Sequence, residues 1–385
     1  MQPIDQVAVT FDPHDHETRA QCAEVYGRLR ESCPVFHSDE WGGFWVASRH
    51  EDVYEVGRDV ERFSSNSGVM LPPIGHGRPL RPMESDPPEH AEYRRILLRA
   101  FAPAAVAGME DDVRELAASL LAAVADQGRV DLYEALAKPL PMLVISRMLG
   151  IERDDVFWEW TDVLIYGRVD GTSEERVREV ADALYGFLAE HVADRRAHPG
   201  DDLISLVVHG MVGDRPYTED EVLDLCFFLL IAGLENTAFG IRAALRHLAV
   251  APADRSALIA DPSLVSNFVE QSLRLYSPVT ALARIATRDT EVAGQRIQAG
   301  ERVLLLFGSA NRDGKVFDDP NEFHLERRDG RHLAFGIGPH RCLGSNLARL
   351  ELRVAVEEAL RWIPGYRLAG DDPGWYTASP LEVVW

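Results

Sequence analysis

The sequence predicts a mainly α-helical protein with a small peripheral β-sheet region, and three observations carry that expectation. Apolar residues recur at helical spacing over Asp111–Ala125, Ser173–Arg196, Thr218–Leu248, Leu264–Leu275 and Leu347–Leu360. Alternating runs rich in β-branched and aromatic residues are few and short. No internal repeat, low-complexity tract or Gly/Ser/Pro-rich linker divides the 385 residues, so a single domain over 1–385 is expected, with 46% hydrophobic residues to fill its core.

In chain order, Gly42-Gly43 followed by Phe44-Trp45-Val46-Ala47-Ser48 reads as a turn and a strand. Within Glu89–Arg94, His90 and Arg94 stand four apart and so share one helix face. Thr218 and Glu221 have capping-box spacing, and helical pattern then runs to Pro252, predicting one helix of about 30 residues and ~45 Å. Leu225–Leu234 is apolar all round and should be buried, yet Glu235, Asn236 and Thr237 follow it directly. Gly233 costs about 1 kcal/mol against alanine in a helix. With side chains competing for the backbone, it could open the hydrogen-bond ladder and leave a small pocket there. Thr290–Phe307, broken at Gly294 and at Ala299-Gly300, reads as two or three more strands.

The net charge of -22 argues against general nucleic-acid binding and against attraction to anionic membranes. Four cysteines, Cys22, Cys33, Cys226 and Cys342, show no paired zinc-type spacing, and the N-terminus carries no apolar leader. The longest apolar run, Leu225–Leu234, is well short of the roughly 20 residues that span a bilayer. A soluble, cytoplasmic protein is expected.

The most specific signal is Phe335-Gly336-Ile337-Gly338-Pro339-His340-Arg341-Cys342-Leu343-Gly344. Its glycines let the backbone turn tightly and approach a flat ligand, and the helix that follows begins just beyond the sulfur, which favours the ionised, ligating thiolate. The pattern Phe-Gly-x-Gly-x-x-x-Cys-x-Gly resembles the haem-binding loop of the cytochrome P-450 family, and the resemblance runs from about Pro34 onward. It implies the cytochrome P-450 fold, with haem b (iron protoporphyrin IX) between the long central helix and the cysteine loop. Cys342 is then the axial metal ligand, and Phe335 and Gly344 belong to the cofactor-binding loop. His90, Arg94, Arg284 and His340 fall where the family binds the haem propionates, carboxylates that need cations or donors when buried.

The resemblance also implies a monooxygenase inserting one oxygen atom from O2 into a small-to-medium, largely apolar organic substrate. Electrons would come from NAD(P)H through ferredoxin reductase and ferredoxin, the latter docking on a basic patch of Arg94, Arg95, Arg99, Arg331 and Arg341. Glu235 falls on the acid of the family's oxygen-activation stretch, but Asn236 holds the usual threonine position and Thr237 lies one residue beyond. Asn236 and Thr237 therefore compete for one role. A second departure is Gln271, three before Arg274, where the family has the glutamate of Glu-x-x-Arg; Arg327 falls on the third partner of that structural network, and Glu270 is its neighbour. By resemblance Met70, Leu71, Ile74, Val279, Leu282 and Tyr376 line the substrate pocket, and His76, Arg78, Tyr166 or Arg168 either anchor a polar end of the substrate or are simply solvated. Two other readings stay open: oxidative coupling or peroxide-driven oxidation, and a non-catalytic haem-binding sensor or carrier.

Overall fold

The computed structural model describes residues 10–66, 68–72, 77–151, 159–160, 163–164, 171–328, 330–375 and 380–385. The helices that build the site are α1 (His50–Arg58), α2 (Glu89–Leu97), α3 (Glu110–Ala122), α4 (Glu174–Ala197), α5 (Glu219–Ala232), α6 (Glu235–Val250), α7 (Val265–Tyr276) and α8 (Ser345–Trp362).

The capping box forms as the sequence predicts. Thr218 N donates to Glu221 Oε2 at 2.7 Å, and Glu221 N donates to Thr218 Oγ1 at 3.3 Å. The helix it starts does not run unbroken to Pro252. It stops at Ala232, and a new helix begins at Glu235. Gly233 supplies the weak point, and Leu234 at ψ -74 departs from ideal helix geometry. The 219–250 stretch is apolar and long enough to cross a membrane by composition, but 61% of its most apolar window is buried inside the fold.

Around this axis α8 packs against α3, α6 and α7, and α4 packs on α5. Their apolar faces merge into one large core that includes Leu121, Leu184, Leu225, Phe227, Ile241, Leu245, Phe268 and Val354. The surrounding helices bury these side chains because their apolar positions recur on one face, whereas α5, apolar all round, is enclosed by them.

The peripheral sheet has five strands, β1 (Val35–Ser38), β2 (Phe44–Ala47), β3 (Phe63–Ser64), β4 (Leu282–Ala286) and β5 (Arg302–Leu305), in the order β1-β2-β5-β4-β3. β5 runs parallel to β2, and the other pairs are antiparallel. Thr290–Val292 and Gln295–Ile297 form a separate hairpin whose turn places Ala293 and Gly294 at φ 47 and 82, the mirror-image geometry that suits strand twist. The expected strands of 290–307 are thus three, split between two sheets. A three-stranded sheet of Arg129–Asp131, Glu382–Val384 and Arg367–Leu368 and a two-stranded Met211–Pro216 ribbon lack a clear alternating pattern in the sequence.

Candidate functional site

Ahead of α8 the chain makes a tight reversal. Gly336 and Gly338 take φ 67 and 69, and Cys342 N donates to Phe335 O at 2.8 Å, closing the loop that carries the sulfur. Helix α1 clamps this loop from one side. A Cβ on Gly338 would lie 2.7 Å from the Gly57 carbonyl oxygen, and a Cβ on Gly57 would overlap the Ile337 side chain. Two glycines, 281 positions apart, thus let two backbone segments meet.

The Cys342 thiol is open to solvent yet closely surrounded by protein. Burial pushes its pKa up; the Gly344 amide and the charges of Arg94, Arg341 and Arg349 pull it down. The two influences resolve in favour of the thiolate when a metal cation is bound.

Four basic side chains converge nearby from three elements. His90 and Arg94 come from α2, Arg284 from β4 and His340 from the cysteine loop. The His90 and His340 rings pack against each other at a tilt of 37°, with centroids 4.0 Å apart. Burial and the neighbouring guanidinium groups push His90 down to about 4 and His340 down to about 2, so both are neutral donors at pH 7. Nε2 of His340 is buried without a hydrogen-bond partner. Arg284 is 4% exposed, donates to its neighbour Ala283 O at 2.7 Å, and is pushed down to about 10 by burial, with Asp86 offsetting part of the effect. Among the described residues no carboxylate forms an ion pair with Arg94 or Arg284.

Inward-facing cations with no ion-paired carboxylate among the described residues, and an orphaned donor beside a cysteine, ask for an anionic ligand that also takes a thiolate. A haem, with one metal and two propionates, fits that donor set, and the close backbone approach that the glycines permit suits its flat ring.

The interruption between α5 and α6 forms a second site. Glu235 is the first residue of α6; burial pushes its carboxyl up to about 7, with Arg19 opposing. Asn236 is half-buried and Thr237 buried.

Behind the cysteine loop, Arg274 is fully buried and donates Nε to Gln271 Oε1 at 3.0 Å. Its other donors meet the carbonyls of Asn311, Pro320 and Glu322 at 2.7 to 3.0 Å. The expected third partner is corrected in kind. Gln271 Nε2 reaches the Arg327 carbonyl at 3.3 Å, while the Arg327 side chain turns to Asp319 O and leaves its Nε buried and unpartnered. Glu270 does not substitute for a glutamate at 271. It takes Arg349 at 2.5 and 3.0 Å and His332 at 2.9 Å. That cluster has no local signal in sequence, because its members lie 62 and 79 positions from Glu270.

Of the expected substrate contacts, Leu71 packs with Ala283 and Trp375, Val279 and Leu282 border the sheet cluster, and Met70 borders the helical core. Ala283 N donates to Val69 O at 2.7 Å, which brings the first segment against β4. Ile74, His76, Tyr166, Arg168 and Tyr376 lie outside the described residues. Arg78 is neither solvated nor a free anchor. It donates to Asp224 at 2.7 Å and to Asp220 at 2.9 Å, with its guanidinium 4.4 Å above the Tyr185 ring. Arg81 also pairs with Asp224, which is 1% exposed on α5. The basic patch is split: Arg95, Arg99, Arg331 and Arg341 are exposed, whereas Arg94 turns inward and is half-buried.

The family model described as Cytochrome P450 matches residues 156–362. The steroid C26-monooxygenase of Mycolicibacterium smegmatis is 35% identical over 356 residues, covering 91% of this chain and 87% of the relative. Linalool 8-monooxygenase of Pseudomonas putida is 33% identical, with 87% of each chain covered. A solved cytochrome P450 from Chondromyces apiculatus superposes with TM-score 0.87 at 30% identity, covering 98% of both chains.

Proposed function

The chain belongs to the cytochrome P450 family and is a haem-dependent monooxygenase, and from that premise we propose the residue roles, substrate class and electron supply that follow. The whole chain works as one catalytic domain. Cys342 holds the iron within the Phe335–Gly344 loop, and His90, Arg94, Arg284 and His340 hold the propionates. The observation that carries these assignments is the convergence of a cysteine with inward-facing basic groups that form no ion pair with a carboxylate among the described residues. Bound haem supplies activation of dioxygen and one-electron chemistry.

The protein's own contribution is proton control and exclusion of water. At pH 7 the Glu235 carboxyl is near half-protonation, so it can both give and take a proton. Asn236 has an amide that can donate and accept hydrogen bonds but cannot release a proton, so it orients while Glu235 transfers. Thr237 is the competing hydroxyl. The substrate is a small-to-medium, largely apolar organic molecule bound among Met70, Leu71, Val279 and Leu282, with Ile74 and Tyr376 as further contacts. Electrons arrive from NAD(P)H through ferredoxin reductase and an acidic ferredoxin, which meets the exposed Arg95, Arg99, Arg331 and Arg341 in the cytoplasm.

Two experiments test this reading. Ferrous, carbon-monoxide-bound protein should show the red-shifted absorption of a thiolate ligand, and Cys342→Ser should abolish it; retention in the variant overturns the assignment. Asn236→Ala and Thr237→Ala should be compared for product formed per NAD(P)H consumed in a ferredoxin system. Unchanged coupling in Asn236→Ala transfers the role to Thr237, and turnover by peroxide alone favours the peroxide-driven reading.

A further inference from the structure

Three cations act on the Cys342 sulfur: Arg94, Arg341 and Arg349. Among the described residues only Arg349 is paired with a carboxylate. Glu270 grips it through two oxygens, at 2.5 Å to Nε and 3.0 Å to Nη2, and the second oxygen also accepts from His332 at 2.9 Å. A two-pronged carboxylate fixes a guanidinium in direction as well as in charge.

The direction matters because of what lies beneath. The Arg349 guanidinium stands 4.4 Å over the ring of Phe335, and the carbonyl of Phe335 accepts the amide of Cys342 at 2.8 Å. Arg349 also donates to Ser345 O at the start of α8. One arginine therefore rests on both ends of the loop that presents the sulfur.

We propose that Glu270 is a charge-balancing and positioning residue for Cys342: by neutralising and fixing Arg349 it keeps a full positive charge off the sulfur side of the loop, and so helps set the reduction potential of the bound haem. The proposal rests on Cys342 as the ligand. Its physical basis is Coulombic. An unbalanced cation near the iron–sulfur unit favours the form holding one more electron, and an unbalanced anion disfavours it. Arg349 and Glu270 are each about 30% exposed (31% and 29%), so the effect should shrink with added salt.

The test is an equilibrium redox titration of the holoenzyme at low ionic strength. Glu270→Gln should move the midpoint positive and Arg349→Gln should move it negative, each changing the ferrous-to-ferric ratio at fixed poise by about threefold. The double variant should return towards wild type, and Glu270→Asp, which keeps the charge, should follow wild type. Single variants that shift in the same direction, or that do not shift, overturn the proposal, as does an equal shift in Glu270→Asp and Glu270→Gln. The ferrous carbon-monoxide band, recorded on the same samples, keeps the two readings distinguishable. A thiolate-type band with unmoved potentials sinks only the role of Glu270, whereas its absence in wild type sinks the ligand assignment and this proposal with it.

Discussion

Arg274 donates its Nε to the amide oxygen of Gln271 at 3.0 Å, so a neutral side chain meets a guanidinium that is 0% exposed. Further donors of Arg274 meet the backbone carbonyls of Asn311, Pro320 and Glu322. A carboxylate at 271 would bring a full negative charge to the Nε that now meets an amide oxygen, at the cost of the long 3.3 Å bond to the Arg327 carbonyl. Gln271→Glu is therefore expected to leave haem content unchanged or raised and to stabilise the fold by about 1 kcal/mol. Gln271→Ala should cost about 2 kcal/mol by leaving a buried donor unmatched. Chemical unfolding together with haem bound per polypeptide checks both.

The contact between Gly338 and Gly57 tolerates no side chain. Gly338→Ala combines a left-handed backbone position with a Cβ 2.7 Å from the Gly57 oxygen, and should destabilise by about 2–4 kcal/mol with marked loss of haem. Gly57→Ala, in ordinary helical geometry, overlaps only the Ile337 side chain, which can shift, and should lose less. Equal haem retention in Gly338→Ala and wild type would show that the loop can move away from α1.

Buried carboxyls give the protein a definite pH dependence. Burial raises Glu235 to about 7 and Glu351 to about 8, and Oε2 of Glu351 has no hydrogen-bond partner. A folded state that holds its proton more tightly than the unfolded chain is favoured at low pH. The stability both groups contribute is thus fully present below the ordinary glutamate range near 4.5 and is lost as pH rises through 7 to 8. Glu235→Gln should remove the earlier part of that decline and leave the later part due to Glu351. Product yield per NAD(P)H should likewise fall above about pH 7 in the wild type and become flatter in the variant. Parallel stability–pH curves for the two proteins would count against Glu235 as the titrating group.

One acid ties a loop to the axis of the fold. Asp224 receives Arg78 and Arg81, and the Tyr185 hydroxyl donates to it at 3.2 Å while the Tyr185 ring stacks on Phe227 with centroids 4.6 Å apart. Asp224→Asn should cost about 2 kcal/mol, less than a wholly buried pair because both arginines are partly exposed. It should also speed the binding and release of 4-phenylimidazole at ferric haem in stopped-flow measurements. Unchanged rates would mean that the segment around Arg78 does not limit entry.

Much of this was legible in the sequence, for physical reasons that differ by residue. The cysteine loop and the Thr218 cap are local, so spacing alone specifies them. The four basic groups could be assembled only through family resemblance, since α2, β4 and the loop meet by folding. Gly233 pointed to the weak place in the central helix, but periodicity continues across it, and apolar pattern alone does not register a missing hydrogen bond. Glu270 and Arg274 share a helix at i and i+4, which suggests a pair; tertiary partners override it, because Arg349 and His332 reach Glu270 from α8 and from the loop. Arg78 read as a solvated or ligand-binding charge because nothing near it in sequence announces Asp224, 146 positions away.

The split between Ala232 and Glu235 gives the core two shorter dipoles laid end to end instead of one long one. The second begins at Glu235 and extends over 16 residues, so its positive pole falls on that carboxyl. Burial raises the group to about 7 with Arg19 opposing, and the pole adds its own preference for the anion. In an unbroken helix the same glutamate would lie mid-span, far from either pole, and would keep its proton to higher pH.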